Sequence, residues 1–179
     1  MDAEGQLVNM ATPPGGGITG PAISTTETNE FGNVVRELTP GNRARALAVG
    51  AESAVRSHEL ETKREFSADG TQLQQEWGPM HKVRLESGST VQAQAHMTLQ
   101  YNEGWPGTGI NPHLPTRITT GAKVPKQGID SDQRVKEIKY NWTLFKPIET
   151  IVDPGGLNLR TRMASVSYTH LTLPTTSRV

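Results

Sequence analysis

The residues with the greatest capacity for chemistry are scattered along this chain. Gly15-Gly16-Gly17-Ile18-Thr19-Gly20 has the G-x-G-x-x-G spacing that lets a glycine-rich loop approach a dinucleotide pyrophosphate. That chemistry needs a strand before the loop and a helix after it. Here Pro13-Pro14 precede the run and Pro21 comes after it, so it reads as a turn. No Gly-rich run continues into Gly-Lys-Ser/Thr, so the phosphate-cradling loop of that type is missing too. His58, His81, His96 and His113 are far apart, and none stands at H-x-H or i, i+4 spacing. A zinc site needs three or four converging ligands, and the chain has no cysteine to help. His96 falls among the polar partners of an alternating strand and is expected to face solvent.

Paired carboxylates could be drawn from Glu59, Glu61, Glu65 and Asp69 for acid–base work. The three glutamates share one face of an expected strand with Lys63, which is the pattern of a solvated edge. With no G-x-S-x-G elbow and no thiol, the expectation is a chain without catalytic, cofactor or metal residues. Trp77, Trp105 and Trp142 could stack on sugar rings, although each sits beside a turn, where packing a hairpin end is the commoner role. Trp105 and Trp142 are kept as candidate carbohydrate contacts. Asn141-Trp142-Thr143 is a glycosylation sequon, meaningful only in a host that modifies such sites.

The elements that would carry these residues are strands and turns. In 179 residues, 34% are hydrophobic and 5% aromatic, with 18 Gly and 12 Pro. That mixture suits short strands joined by many turns better than a dense core. Eighteen basic and eighteen acidic residues are mixed along the chain, with no basic stripe to neutralise phosphates, so nucleic acid is not an expected partner. No segment approaches the ~18 apolar residues of a membrane-spanning helix. Met1-Asp2-Ala3-Glu4-Gly5 is too acidic for a secretory signal, so an exported protein would carry its signal on a longer chain.

Period-two alternation is clearest in Val91, Ala93, Ala95, Met97, Leu99 and Tyr101, and Glu86-Ser87-Gly88-Ser89 supplies a turn before it. His81 to Tyr101 therefore reads as one long hairpin. Arg134–Tyr140, Pro147–Val152 and Leu157–Arg162 read as further strands, punctuated by the turn Asp153-Pro154-Gly155-Gly156. Ala44, Leu47, Ala48, Ala51 and Val55 fall at helical spacing, which predicts a short helix over about 43–57, capped by Asn42 and weakened by Gly50. Gly104 to Lys126, rich in Gly and Pro, reads as an extended loop with Trp105–Gly109 at its tip. Val166-Ser167-Tyr168-Thr169-His170-Leu171-Thr172-Leu173-Pro174-Thr175 resembles a translated transposase sequencing adapter. Residues 165–179 are therefore set apart as a non-native tail from a strip spanning 1–164.

One phrase recurs at intervals of about 27 to 39 residues, the mark of a repeat architecture. It is an aromatic or its stand-in, then Asp, Asn or Ser, then Gly. The copies begin at Asp2-Ala3-Glu4-Gly5, Thr28-Asn29-Glu30-Phe31-Gly32, Phe66-Ser67-Ala68-Asp69-Gly70, Tyr101-Asn102-Glu103-Gly104 and Tyr140-Asn141-Trp142. Three run on through a strand to a second turn, at Pro14-Gly15, Pro40-Gly41 and Asp153-Pro154-Gly155. In these residues the chain resembles the RHS/YD-repeat family of bacterial surface and toxin proteins, whose repeat opens with Tyr-Asp and reaches Gly three residues on. Asn29-Glu30-Phe31-Gly32 matches with Thr28 in the Tyr position, and Tyr101-Asn102 and Tyr140-Asn141 match with Asn for Asp.

The resemblance implies an all-β fold of antiparallel hairpins laid side by side, with one helical insertion. In that family the strip spirals around a hollow and encloses or presents a C-terminal toxin domain, secreted or at the cell surface. The implied partners are adjacent repeats of the same longer chain and that toxin domain. The competing reading is a surface adhesin that contacts glycans; an enzyme ranks last.

Overall fold

The computed structural model describes residues 8–13 and 22–164. The Gly15–Gly20 run, the phrase copy at Asp2 and Gly5, and residues 165–179 lie outside the described residues. The described residues form an eleven-stranded, wholly antiparallel sheet. Its strands are β1 (Asn9–Thr12), β2 (Ala22–Thr28), β3 (Val34–Leu38), β4 (Thr62–Phe66), β5 (Leu73–Trp77), β6 (His81–Arg84), β7 (Thr90–Tyr101), β8 (Pro115–Lys123), β9 (Ser131–Asn141), β10 (Lys146–Val152) and β11 (Leu159–Arg162). Strands neighbour one another in chain order, except that β6 pairs only with the first part of β7. The expected all-β class with a short helical insertion is therefore what the chain adopts.

Two details of the expected elements are corrected. The segment from Gly104 to Lys126 is not all loop, because β8 occupies Pro115–Lys123 and pairs along its length with β7 and β9. Pro115 stands at the first strand position, where the missing N–H matters least. Thr116, Ile118, Thr119 and Thr120 then supply the β-branched run that outweighs Gly121. The helical insertion is longer and broken: α1 (Pro40–Leu47), one 3₁₀ turn (Gly50–Glu52) and α2 (Ser53–Leu60). Thr39, not Asn42, caps α1; its side chain accepts from the Asn42 N–H, and Pro40 opens the helix. Asn42 instead donates from Nδ2 to the Leu60 carbonyl at 2.9 Å, tying the two helices together. The break falls at Gly50, whose φ is +63°.

The sheet has little dry interior. Among the described residues the fully buried apolar side chains are Ala46, Leu60, Ala93 and Ile151, and two of these belong to the helices. Stability must come largely from ladder hydrogen bonds and cross-strand pairs, each worth ~0.2–1 kcal/mol. Charge pairs stitch strand to strand. Arg36 on β3 reaches Glu27 on β2 at 2.7 Å and also bonds Glu61. Arg64 on β4 reaches Glu76 on β5 at 2.7 Å and Glu37 on β3 at 3.3 Å. Arg117 on β8 holds Glu137 on β9 at 3.1 Å. Much of the even mixture of charges in the sequence is engaged in such pairs.

Glu61 also corrects an expectation. Glu59 is in α2, and only Glu65 of the three glutamates lies in a strand. Glu61, just past α2, is buried against Arg36, whose guanidinium pKa is raised chiefly by that hydrogen bond. The carboxylates do not share a solvated strand face.

Candidate functional site

Because successive strands reverse direction, their connections alternate between two margins of the sheet. The four described copies of the phrase all fall on one margin. They join β2 to β3, β4 to β5, β7 to β8, and β9 to β10. The other margin carries the helical insertion, the β6 arm, the segment 124–130 and the Asp153 turn.

On the phrase-bearing margin the local structure repeats as well as the letters. The ladder register shifts at the first position of each phrase: at Thr28, Phe66 and Tyr101, and opposite Tyr140 between Pro147 and Glu149. Such bulges add twist and re-aim a side chain. The second position then caps the turn. Asn29 Oδ1 accepts from the N–H of Phe31 at 3.1 Å and of Asn33 at 3.0 Å. Ser67 Oγ accepts from the Gln72 N–H at 3.0 Å, Asn102 Oδ1 from the Leu114 N–H at 3.1 Å, and Asn141 Oδ1 from the Thr143 N–H at 3.0 Å. Turns of the Asn29 kind are three-residue hairpin loops that end on a left-handed glycine, Gly32. Leu85–Ser89 makes the same backbone turn on the other margin without the phrase, so the glycine serves the turn and the Asx or Ser the margin.

Neighbouring tips are also tied to each other. Phe31 lies over Gly70, where any Cβ would collide with its ring, and Asn33 Nδ2 donates to the Gly70 carbonyl at 2.7 Å. Gln72 Nε2 meets His113 Nδ1 at 3.0 Å in the next loop. Tyr101 donates its hydroxyl to the Leu73 carbonyl at 2.7 Å, and Tyr140 donates to the Pro115 carbonyl at 3.0 Å. Tyr101 on β7 thus bonds its sheet neighbour β5 and Tyr140 on β9 its neighbour β8, and burial raises the pKa of both phenols. Within the β4–β5 tip, Asp69 accepts from the Ser67 hydroxyl and from the N–H and hydroxyl of Thr71, which lowers its carboxyl pKa to about 2. Asp153 serves the opposite margin, where Oδ2 accepts from the Leu157 N–H at 2.6 Å and closes the turn through Pro154 and Gly155.

Between the last two phrase tips lies a cleft of about 390 Å³. Glu103, Gly104, Tyr140, Trp142, Glu137 and Lys139 are among its walls. Trp142 and Tyr140 pack with ring centroids 5.3 Å apart and planes tilted by 37°. Of the two tryptophans expected to contact sugar, only Trp142 lines this cleft. Trp105 closes the Asn102 turn by donating its backbone N–H to the Asn102 carbonyl at 3.0 Å.

Sequence reasoning missed a second cluster, on the opposite face of β7 from the alternating apolar residues. His96 does not face solvent; it is 8% exposed. Its ring stacks on Trp77 of β5 with centroids 4.8 Å apart and planes 9° off parallel. Its Nδ1 lies 2.5 Å from Asp130, and its Nε2 lies 3.2 Å from Gln75 Oε1. Lys63 of β4 places Nζ 4.9 Å above the Trp77 ring, extending the row across a third strand. Gly121 opposite His96 makes room, since a Cβ there would come within 3.0 Å of the Asp130 Cβ. The signal that could have found this cluster is Trp77 beside Gly78-Pro79, an aromatic placed where a strand ends and needs a cover. Among the described residues no group of His, Asp and Glu is arranged to hold a metal ion. No described helix is long and apolar enough to cross a membrane.

No protein-family model matches the chain, and no curated protein matches it either.

Proposed function

We propose that this chain is a non-catalytic structural segment of a β-hairpin wall like that of RHS/YD-repeat proteins, helping to encapsulate or present a C-terminal toxin domain at or beyond the cell surface. The observation that carries the reading is the phrase-bearing margin. Four successive hairpin tips there share a bulge, a capped turn and a bond to a neighbouring tip or strand. A sheet built this way buries side chains mainly against adjacent hairpins, which is how repeat architectures gain stability. A thin interior supports the same reading, because a wall needs two usable faces and no dense centre. Its partners are then neighbouring hairpins of the same polypeptide and the enclosed domain, with no cofactor.

The reading is tested in a longer polypeptide that carries this strip followed by a toxin domain. That domain should resist protease while the strip is intact. It should lose that resistance when Thr119→Pro interrupts β8 between β7 and β9, where proline removes a ladder bond. Equal susceptibility with and without the substitution would overturn the reading.

A further inference from the structure

We infer that the cleft between the Asn102 and Asn141 turns binds a neutral hexose or N-acetylhexosamine ring of a glycan. This goes beyond the wall reading, since it concerns what the wall's margin touches and needs no enclosed cargo.

Three observations carry it. The cleft, at about 390 Å³, lies within the ~300–1,000 Å³ typical of small-ligand sites, and it is walled by two different hairpins. Its apolar floor is aromatic: Trp142 is half-buried and braced by Tyr140, with Ile138 and Ile148 extending the surface. A pyranose presents one face rich in C–H groups, which an indole face accepts, while its hydroxyls point outward to the rim. Here the rim is polar and suited to hydroxyls. Glu103 makes no ion pair among the described residues. Glu137 is fixed by Arg117 at 3.1 Å, so its carboxylate is positioned before any ligand arrives. The Trp142 indole N–H has no hydrogen-bond partner among the described residues and is available to donate.

Charge narrows the class further. Lys139, the one cation lining the cleft, leans toward Glu149 at 3.4 Å and Glu137 is paired with Arg117 at 3.1 Å, which leaves the Glu103 carboxylate to set the local field. Anionic sugars, uronates and sialates, are repelled by that field, and neutral rings are not. Gly104 faces Trp142 with an ideal Cβ position 3.7 Å from the indole nitrogen, so the lack of a side chain keeps the mouth open.

The test is calorimetric titration of the full chain with four probes: chitotetraose, cellotetraose, mannotetraose and tetragalacturonate. At least one neutral probe should bind saturably, and tetragalacturonate should bind more weakly than it. Trp142→Ala should weaken the neutral probe by about tenfold or more, while Trp105→Ala leaves it unchanged. Glu103→Gln, a change at an exposed side chain that spares the fold, should weaken it by a few-fold even if Trp142→Ala unfolds. The inference is overturned if no neutral probe binds at about 10 mM. It is overturned equally if the uronate binds as well as the best neutral probe, or if Glu103→Gln has no effect and a folded Trp142→Ala binds normally.

Discussion

The two margins of this sheet are built on opposite plans. On one, each of four turns has a bulge, an Asn or Ser side chain that accepts from a backbone N–H of its own hairpin, and a bond to a neighbouring tip or strand. On the other, no two described connections are alike: a helical hairpin, a β6 arm folded back on β7, the segment 124–130 and the Asp153 turn. The repeated margin holds the strands in step. The varied margin holds what is particular to this chain, including Asp130, which reaches back from its loop to His96. Repetition in the letters therefore marks where hairpins must meet each other, and its absence marks where they are free to differ.

The largest expected effect lies on the repeated margin. Gly70→Val places a β-branched side chain at φ +70° and into the Phe31 ring, and should cost about 2–4 kcal/mol in urea unfolding. A loss below ~0.5 kcal/mol would mean that the tips do not interlock. Next comes the varied margin. Asp130→Ala leaves Nδ1 of the buried His96 without its partner, with only Gln75 Oε1 still at the ring, and should cost about 1–3 kcal/mol, measured in the same way.

A pH experiment probes the β10–β11 end. The Glu149 carboxyl pKa is lowered, first by its hydrogen bond from Arg162, with Lys139 and Arg160 adding and burial opposing. A carboxyl depressed in the fold stabilises fully above its unfolded pKa, and that support is lost as pH falls through the folded value. Protection of β10 and β11 amides should therefore drop in the acid range, and Glu149→Gln should remove that dependence. The smallest contrast compares turns. Asn29→Ala removes a side-chain cap that bonds two N–H groups and should cost about 1 kcal/mol. Ser87→Ala, in the matching turn on the varied margin, should fall within about 0.5 kcal/mol of zero.

Much of the repeated margin is legible in the sequence because a turn is a local object. Asn29, Ser67, Asn102 and Asn141 each bond backbone within their own hairpin, so residue type and spacing suffice to place them. Alternation through Val91–Tyr101 likewise points to β7. What the letters conceal depends on distant residues. Gly121 looks like a loop glycine, whereas its bareness is required by Asp130 beyond the next turn. His96 looks solvent-facing when alternation is taken to mean one covered face. Both faces of β7 are in fact partly covered, one of them by Trp77 and Asp130. The start of α1 is hard to place because Thr39-Pro40, a cap followed by a first-turn proline, reads equally well as a β-turn. The cleft at Trp142 needs Gly104 and Trp142, which only pairing across β8 brings together.

Among the described residues, the outermost strands β1 and β11 each pair on one side only. A closed barrel fixes its own strand number by geometry; a ribbon with two bare sides has no such arithmetic and can be lengthened by duplication. Along the path of paired strands, which leaves out the β6 arm, the four described copies fall on every second connection, so additions to that path in twos keep later phrases aligned with the earlier ones. An odd number of strands added to that path would send every subsequent tip to the wrong side, away from the neighbours it grips, whereas β6 does not, because it folds back on β7.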